Sequence, residues 1–203
     1  MDIMAKKPQS ASIGQIRIIG GKWRGRKLPV RDSEGLRPTT DRIKETLFNW
    51  LMPIVRDARC LDCFAGSGSL GFEALSRFAD HVTFIELEKQ NSQLLTENKA
   101  RLQADNATIV QGNSLAVLAQ TGTPFDVVFI DPPFRKGLLL ETIQLLEKNQ
   151  WLADESWIYV ESEAESPLTN IPTNWQLHRE KIAGQVAYRL FIRHSIEETS
   201  HAN

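Results

Sequence analysis

Asp62-Cys63-Phe64-Ala65-Gly66-Ser67-Gly68-Ser69-Leu70-Gly71 is the stretch on which the fold turns. The apolar residues 60–64 lead into it as a strand, and residues 69–77 leave it with helical patterning. Gly66, Gly68 and Gly71 satisfy G-x-G-x-x-G, and an acid, Glu86, follows twenty positions beyond Gly66 at the end of the next apolar run. A backbone without Cβ atoms can approach a ligand closely. Such a loop at the C-terminal edge of a parallel sheet marks a nucleotide-type site. The pattern alone fits both a nicotinamide dinucleotide and S-adenosylmethionine.

Outward from this loop the chain alternates strand and helix. Strands are expected over 60–64, 81–86, 108–111, 125–130 and 156–161, with helices over 69–77, 89–102, 138–149 and, shorter, 115–119. Residues 175–181 and 186–193, joined at Ala183-Gly184, read instead as an antiparallel pair. The order predicts an α/β fold, a doubly wound, mostly parallel sheet with an antiparallel edge. Upstream, residues 15–19 and 24–30 flank Gly20-Gly21 and predict a β-hairpin. Residues 31–38 form a turn-rich connection, and Thr39 or Thr40 can cap a helix running through Trp50. Ile43, Leu47, Phe48 and Leu51 give that helix one apolar stripe, and Pro53 ends it. Four segments result: a disordered tail (1–14), a basic hairpin and helix (15–53), the main domain (54–194) and a polar tail (195–203).

The second motif closes the run 125–130. Asp131-Pro132-Pro133-Phe134 stops a buried strand with two prolines of fixed φ. The turn presents one carboxylate, carbonyls without competing proline N–H groups, and one ring. Those groups suit a planar amine, with acceptors for its N–H bonds and an aromatic face to stack on.

The residues beside the glycine loop favour S-adenosylmethionine. Asp62 would sit against a pyrophosphate unfavourably, yet it suits an α-ammonium directly or through a water. Phe64-Ala65-Gly66 provides an apolar shoulder, Glu86 can accept from two ribose hydroxyls, and the Asn113 amide can serve an adenine edge.

Net charge over the 203 residues is −1, but it is unevenly distributed. Residues 1–44 hold eleven Lys/Arg against four acids, while the rest holds thirteen against twenty-one. A basic end on an acidic body is the asymmetry of a local polyanion contact. No apolar stretch approaches the roughly 18 residues of a membrane span, and no signal-peptide core is present, so a cytoplasmic location is expected. Cys60 and Cys63 form a lone C-x-x-C, too few ligands for zinc, and read as reduced structural thiols. No metal is expected, and nothing demands more than a monomer.

Together, residues 62–71, Glu86 and 131–134 resemble the seven-stranded, Rossmann-like methyltransferases that act on exocyclic or amide nitrogens. Residues 17–28 (Arg-Ile-Ile-Gly-Gly-Lys-Trp-Arg-Gly-Arg-Lys-Leu) and 37–51 (Arg-Pro-Thr-Thr-Asp-Arg-Ile-Lys-Glu-Thr-Leu-Phe-Asn-Trp-Leu) are more specific. They resemble the bacterial small-subunit rRNA guanine-N2 methyltransferase D family over about residues 15–193. The resemblance implies methyl transfer to one guanine N2 of 16S rRNA, on the small subunit or its assembly intermediate. It implies a donor site of Asp62, Phe64, Ala65, Gly66, Gly68, Glu86, Leu87, Asn113, Ser114 and Asp131, with Thr39 brought in by the first helix. It also implies a catalytic turn of Asp131, Pro132, Pro133 and Phe134. Arg17, Lys22, Arg24, Arg26, Arg37 and Arg42 are the RNA-facing candidates; for Arg42 and Lys44 a solvated helix face is an equal alternative.

Three other readings compete. The same turn would align an adenine N6 or glutamine N5 amine. A methyltransferase scaffold could serve as a non-catalytic RNA-binding assembly factor, which the intact loop and turn oppose. A nicotinamide oxidoreductase is opposed by Asp62 and by histidines (His81, His178, His194, His201) placed away from the pocket edge.

Overall fold

The computed structural model describes residues 13–31, 40–133 and 137–196. Arg37, Thr39 and Phe134, and most of the two tails, lie outside them.

The hairpin is present as β1 (Ile13–Arg17) and β2 (Lys27–Arg31), paired antiparallel. Between them Gly21–Trp23 makes one 3-10 turn, so both strands are displaced outward from the expected ranges. Helix α1 (Asp41–Trp50) begins at Thr40, whose side chain accepts from the Ile43 amide at 3.3 Å. Leu47, Phe48 and Leu51 of its apolar stripe are buried.

Strand β3 (Arg59–Asp62) is followed by α2 (Ser69–Ser76), β4 (His81–Glu86), α3 (Lys89–Leu102), β5 (Ala107–Gln111) and α4 (Ser114–Leu118). Next come β6 (Phe125–Ile130), α5 (Leu138–Lys148), β7 (Leu152–Glu163), β8 (Trp175–Ala183) and β9 (Val186–Arg193). The seven strands of the main sheet run in the order β5-β4-β3-β6-β7-β9-β8. The first five are parallel, while β9 is antiparallel to both β7 and β8. Strand β7 is twice the expected length because it starts at Leu152, opposite Phe125, and resumes register only at Trp157 opposite Val127.

Each sheet face carries its own core. One gathers the hairpin, α1, α2 and α3 around Phe48, Phe72, Phe84 and Phe129; the other gathers α4 and α5 around Leu118, Ile143 and Ile158. Ile16, Ile18, Leu28 and Val30 of the hairpin and Leu47, Phe48 and Leu51 of α1 thus share one core with the sheet. The third glycine of the loop permits that packing: a Cβ on Gly71 would stand 2.2 Å from Phe84 Cε1. No helix among the described residues is long and apolar enough to cross a membrane.

Candidate active site

Strand order reverses between β3 and β6, the two central neighbours. A crevice opens at such a switch point, beyond the carboxyl ends of the strands. Asp62 ends β3 in register with Phe129, two residues before Asp131 at the end of β6. The Cys63 amide donates to the Phe129 carbonyl at 3.1 Å, so the glycine loop and the Asp-Pro-Pro turn leave the sheet side by side. Both motifs therefore border one crevice.

The loop is held by main-chain bonds. Ala65 N donates to Ile85 O at 2.9 Å, and Gly68 N to Ala65 O at 2.8 Å. Gly68 has φ +79, a left-handed conformation that side chains disfavour. Asp62 is 2% exposed and accepts from the Gly71 and Phe64 amides, so its carboxylate also caps the start of α2. Burial dominates its ionisation, raising its pKa to about 7 against those two bonds, with Glu86 adding to the rise.

Glu86, at the end of β4, accepts from Gly66 N at 2.7 Å and Glu88 N at 2.8 Å. Burial raises its pKa as well, opposed by these amides and by the Asn91 side chain. A carboxylate has about four acceptor positions, so hydroxyl donors can join or displace the side-chain partner. Leu87 beside it is an exposed apolar side chain, open for an adenine face. Phe64 is half-buried and Ala65 buried next to the loop.

Asn113 and Ser114 hold structural bonds. Asn113 Oδ1 caps α4 by accepting from the Leu115 and Ala116 amides at 2.9 and 3.2 Å, leaving its NH2 end to meet a ligand. Ser114 is buried, and its hydroxyl donates to the Cys63 carbonyl at 2.5 Å, tying the end of β5 to the end of β3.

At the turn, Pro132 is buried, Pro133 exposed and Asp131 half-buried. Asp131 shares a side-chain hydrogen bond with Glu161 of the neighbouring strand β7. Glu161 accepts in addition from the Tyr159 hydroxyl at 3.2 Å. Desolvation, Glu161 and Asp62 together push the Asp131 pKa well up. Sequence reasoning missed Glu161 and Tyr159. The available signal was an acid ending the strand 156–161, once that strand is placed beside β6.

The basic end divides in two. Lys22, Arg24, Arg26 and Arg42 are exposed. Lys22 Nζ lies 4.5 Å from the Trp23 ring centroid, and Arg26 donates to the Arg101 carbonyl. Arg17 is exposed but paired with Asp41 at 2.7 Å. Lys44 corrects the expectation of a solvated or RNA-facing side chain. It is 1% exposed, donates to Arg17 O and Ser69 Oγ, and lies 3.4 Å from Glu73 Oε2. Cys60 and Cys63 are free and buried, with burial raising both thiol pKa values, so neither is an activated thiolate. Among the described residues no group of His, Cys, Asp and Glu could hold a metal ion.

The crevice carries carboxylates at three strand ends, a carboxylate-anchored glycine loop and an exposed apolar side chain. That donor set repels a pyrophosphate and fits a nucleoside bearing a positive charge. With the seven-strand order, it defines a Rossmann-like methyltransferase. Residues 16–192 match the family described as Conserved hypothetical protein 95. Ribosomal RNA small subunit methyltransferase D of Escherichia coli K12 is 64% identical over 194 residues, spanning 96% of this chain and 98% of the relative. Its namesake from Haemophilus influenzae is 54% identical over 182 residues, covering 88% and 94% of the two chains. The solved structure of Escherichia coli yhhF superposes with a TM-score of 0.86 at 63% identity, covering 90% of this chain and all of that one. The chain belongs to the ribosomal RNA small subunit methyltransferase D family.

Proposed function

We propose that the protein methylates the exocyclic N2 of one guanine in 16S rRNA, on the small ribosomal subunit or its assembly intermediate, in the cytoplasm. The observation that carries this reading is the adjacency of Asp62 and Asp131 at the ends of neighbouring strands β3 and β6. The names of the relatives supply the RNA class; the exposed Lys22, Arg24 and Arg26 supply a surface for its phosphates.

S-adenosylmethionine, when bound, supplies an electrophilic methyl group and needs no metal. Gly66 and Gly68 would let the loop approach it, Glu86 would receive its ribose hydroxyls, Leu87 and the Asn113 NH2 would serve its adenine, and Asp62 would serve its ammonium. Thr39, outside the described residues, would join them by the family resemblance. Guanine N2 is a weak nucleophile because its lone pair is delocalised, so alignment is the protein's main task. Asp131 and the Pro132 carbonyl accept the two amino N–H bonds and turn the nitrogen lone pair towards the methyl group. Pro133 stiffens the turn. The base leaves its stack to enter, and Phe134 stacks on it, a contact worth about 1–3 kcal/mol. Arg37 and Arg42 extend the phosphate grip.

Labelled methyl transfer to small subunits lacking the modification, followed by nucleoside analysis, tests the reading. It predicts N2-methylguanosine; label in N6-methyladenosine or in protein would overturn it.

A further inference from the structure

Two carboxyl groups joined by a hydrogen bond must hold a proton between them, because two carboxylates have no hydrogen to share. Asp131 and Glu161 are such a pair. They stand at the ends of adjacent parallel strands, one residue beyond the paired Ile130 and Val160. The Tyr159 hydroxyl biases where the proton resides: it donates to Glu161 Oε2 at 3.2 Å, with Tyr159 itself 0% exposed. With this extra donor Glu161 is the better place for the charge, which leaves the proton on Asp131. Glu161 is 8% exposed, so this charge is held away from water.

We propose that Glu161 is the terminal proton acceptor of methyl transfer, acting through Asp131 as a relay. The inference rests on the reading that an exocyclic amine is the nucleophile. As the N–CH3 bond forms, the methyl–sulfur bond breaks and its electron pair stays on sulfur, leaving a neutral thioether and a cationic nitrogen. That nitrogen gives one proton to the carbonyl oxygen of the Asp131 carboxyl. The hydroxyl oxygen of Asp131 passes its own proton to Glu161. Asp131 ends as it began, protonated once, and Glu161 ends neutral. The sulfonium charge and the carboxylate charge vanish together inside a buried site, which is where an opposite pair is most costly to keep apart. Half-exposed Asp131 then returns the proton to solvent once the base departs.

The ionisable groups facing this pair are few. Asp62 approaches Asp131 from β3, and Tyr159 lies on the same strand as Glu161. Tyr188 of β9 stands opposite Glu161 in register. Asp62 favours proton retention on the pair, and the Tyr159 hydroxyl donates to Glu161.

The test combines a rate with a direct view of the proton. Carboxyl-labelled carbon NMR of the donor-free protein should show one carboxyl of the pair still protonated well above the ordinary carboxylate range. Glu161→Gln should return Asp131 towards that range. In single-turnover methylation Glu161→Gln should lose about tenfold or more and displace the acid limb of the pH–rate profile, with donor and RNA affinities unchanged. Glu161→Asp, which keeps a carboxylate and guards against misfolding, should recover part of the rate. Full ionisation of both groups at neutral pH, or a Glu161→Gln rate and profile like the wild type, would overturn the proposal. Methylation of a different atom would remove the guanine reading while the NMR result still judges the pair.

Discussion

The Lys44 ammonium lies 3.4 Å from Glu73 Oε2, with the two side chains 1% and 0% exposed. This pair fastens α1 to α2. Glu73 also accepts from the Ile19 and Gly20 amides at 3.0 and 2.9 Å and from Arg77 Nε at 2.9 Å. The connection within the basic hairpin and the first helix are thereby both anchored to the helix that opens at the glycine loop.

Removing one partner of a buried pair leaves an uncompensated charge, at a cost of about 3–5 kcal/mol. Glu73→Ala should therefore destabilise the protein by that order in urea unfolding and expose the Ile19 and Gly20 amides to hydrogen exchange. An effect below about 1 kcal/mol, with those amides still protected, would contradict the anchoring role.

Asp62 links donor binding to pH. Its folded pKa of about 7 stands above the ordinary 3.8, so the ionised form is penalised in the empty protein. The stability associated with this group is complete below its unfolded pKa and is lost as pH rises towards 7. An ammonium favours the ionised form, so donor affinity should tighten from about pH 5.5 to about pH 7, by at most tenfold per unit for one proton. Calorimetry should show this slope in the wild type and its loss in Asp62→Asn. A slope unchanged by the substitution would assign it elsewhere, with Glu86 the first alternative.

The hairpin prediction distinguishes charges that look alike in sequence. Arg17 is neutralised in part by Asp41, whereas Lys22 and Arg24 are exposed and neither forms an ion pair with a carboxylate among the described residues. Arg24→Ala should weaken RNA binding and lower the steepness of log K against log salt by about 0.7–0.9. Arg17→Ala should do less on both counts. Equal effects would show that the Asp41 pair opens when RNA binds.

Periodicity made most of the fold legible. The alternating apolar runs gave the succession of strands and helices along the chain and the antiparallel closure, and the glycine loop and proline turn pointed to the crevice. What stayed hidden depends on neighbours distant in sequence. Lys44 reads as surface charge because nothing local announces Glu73, 29 positions on. Asn113 and Ser114 also serve the fold, the Asn113 oxygen capping α4 and the Ser114 hydroxyl donating to the Cys63 carbonyl, distant in sequence. Glu161 becomes interpretable only when β7 is placed against β6.

The most direct measurement pairs two readouts on Asp131→Ala: donor affinity by calorimetry and methyl transfer to unmodified small subunits. The account predicts a donor affinity close to that of the wild type together with loss of transfer, because the turn positions the amine while the glycine loop and Glu86 hold the donor. Transfer at the wild-type rate, or donor binding and transfer lost to the same degree, would contradict it.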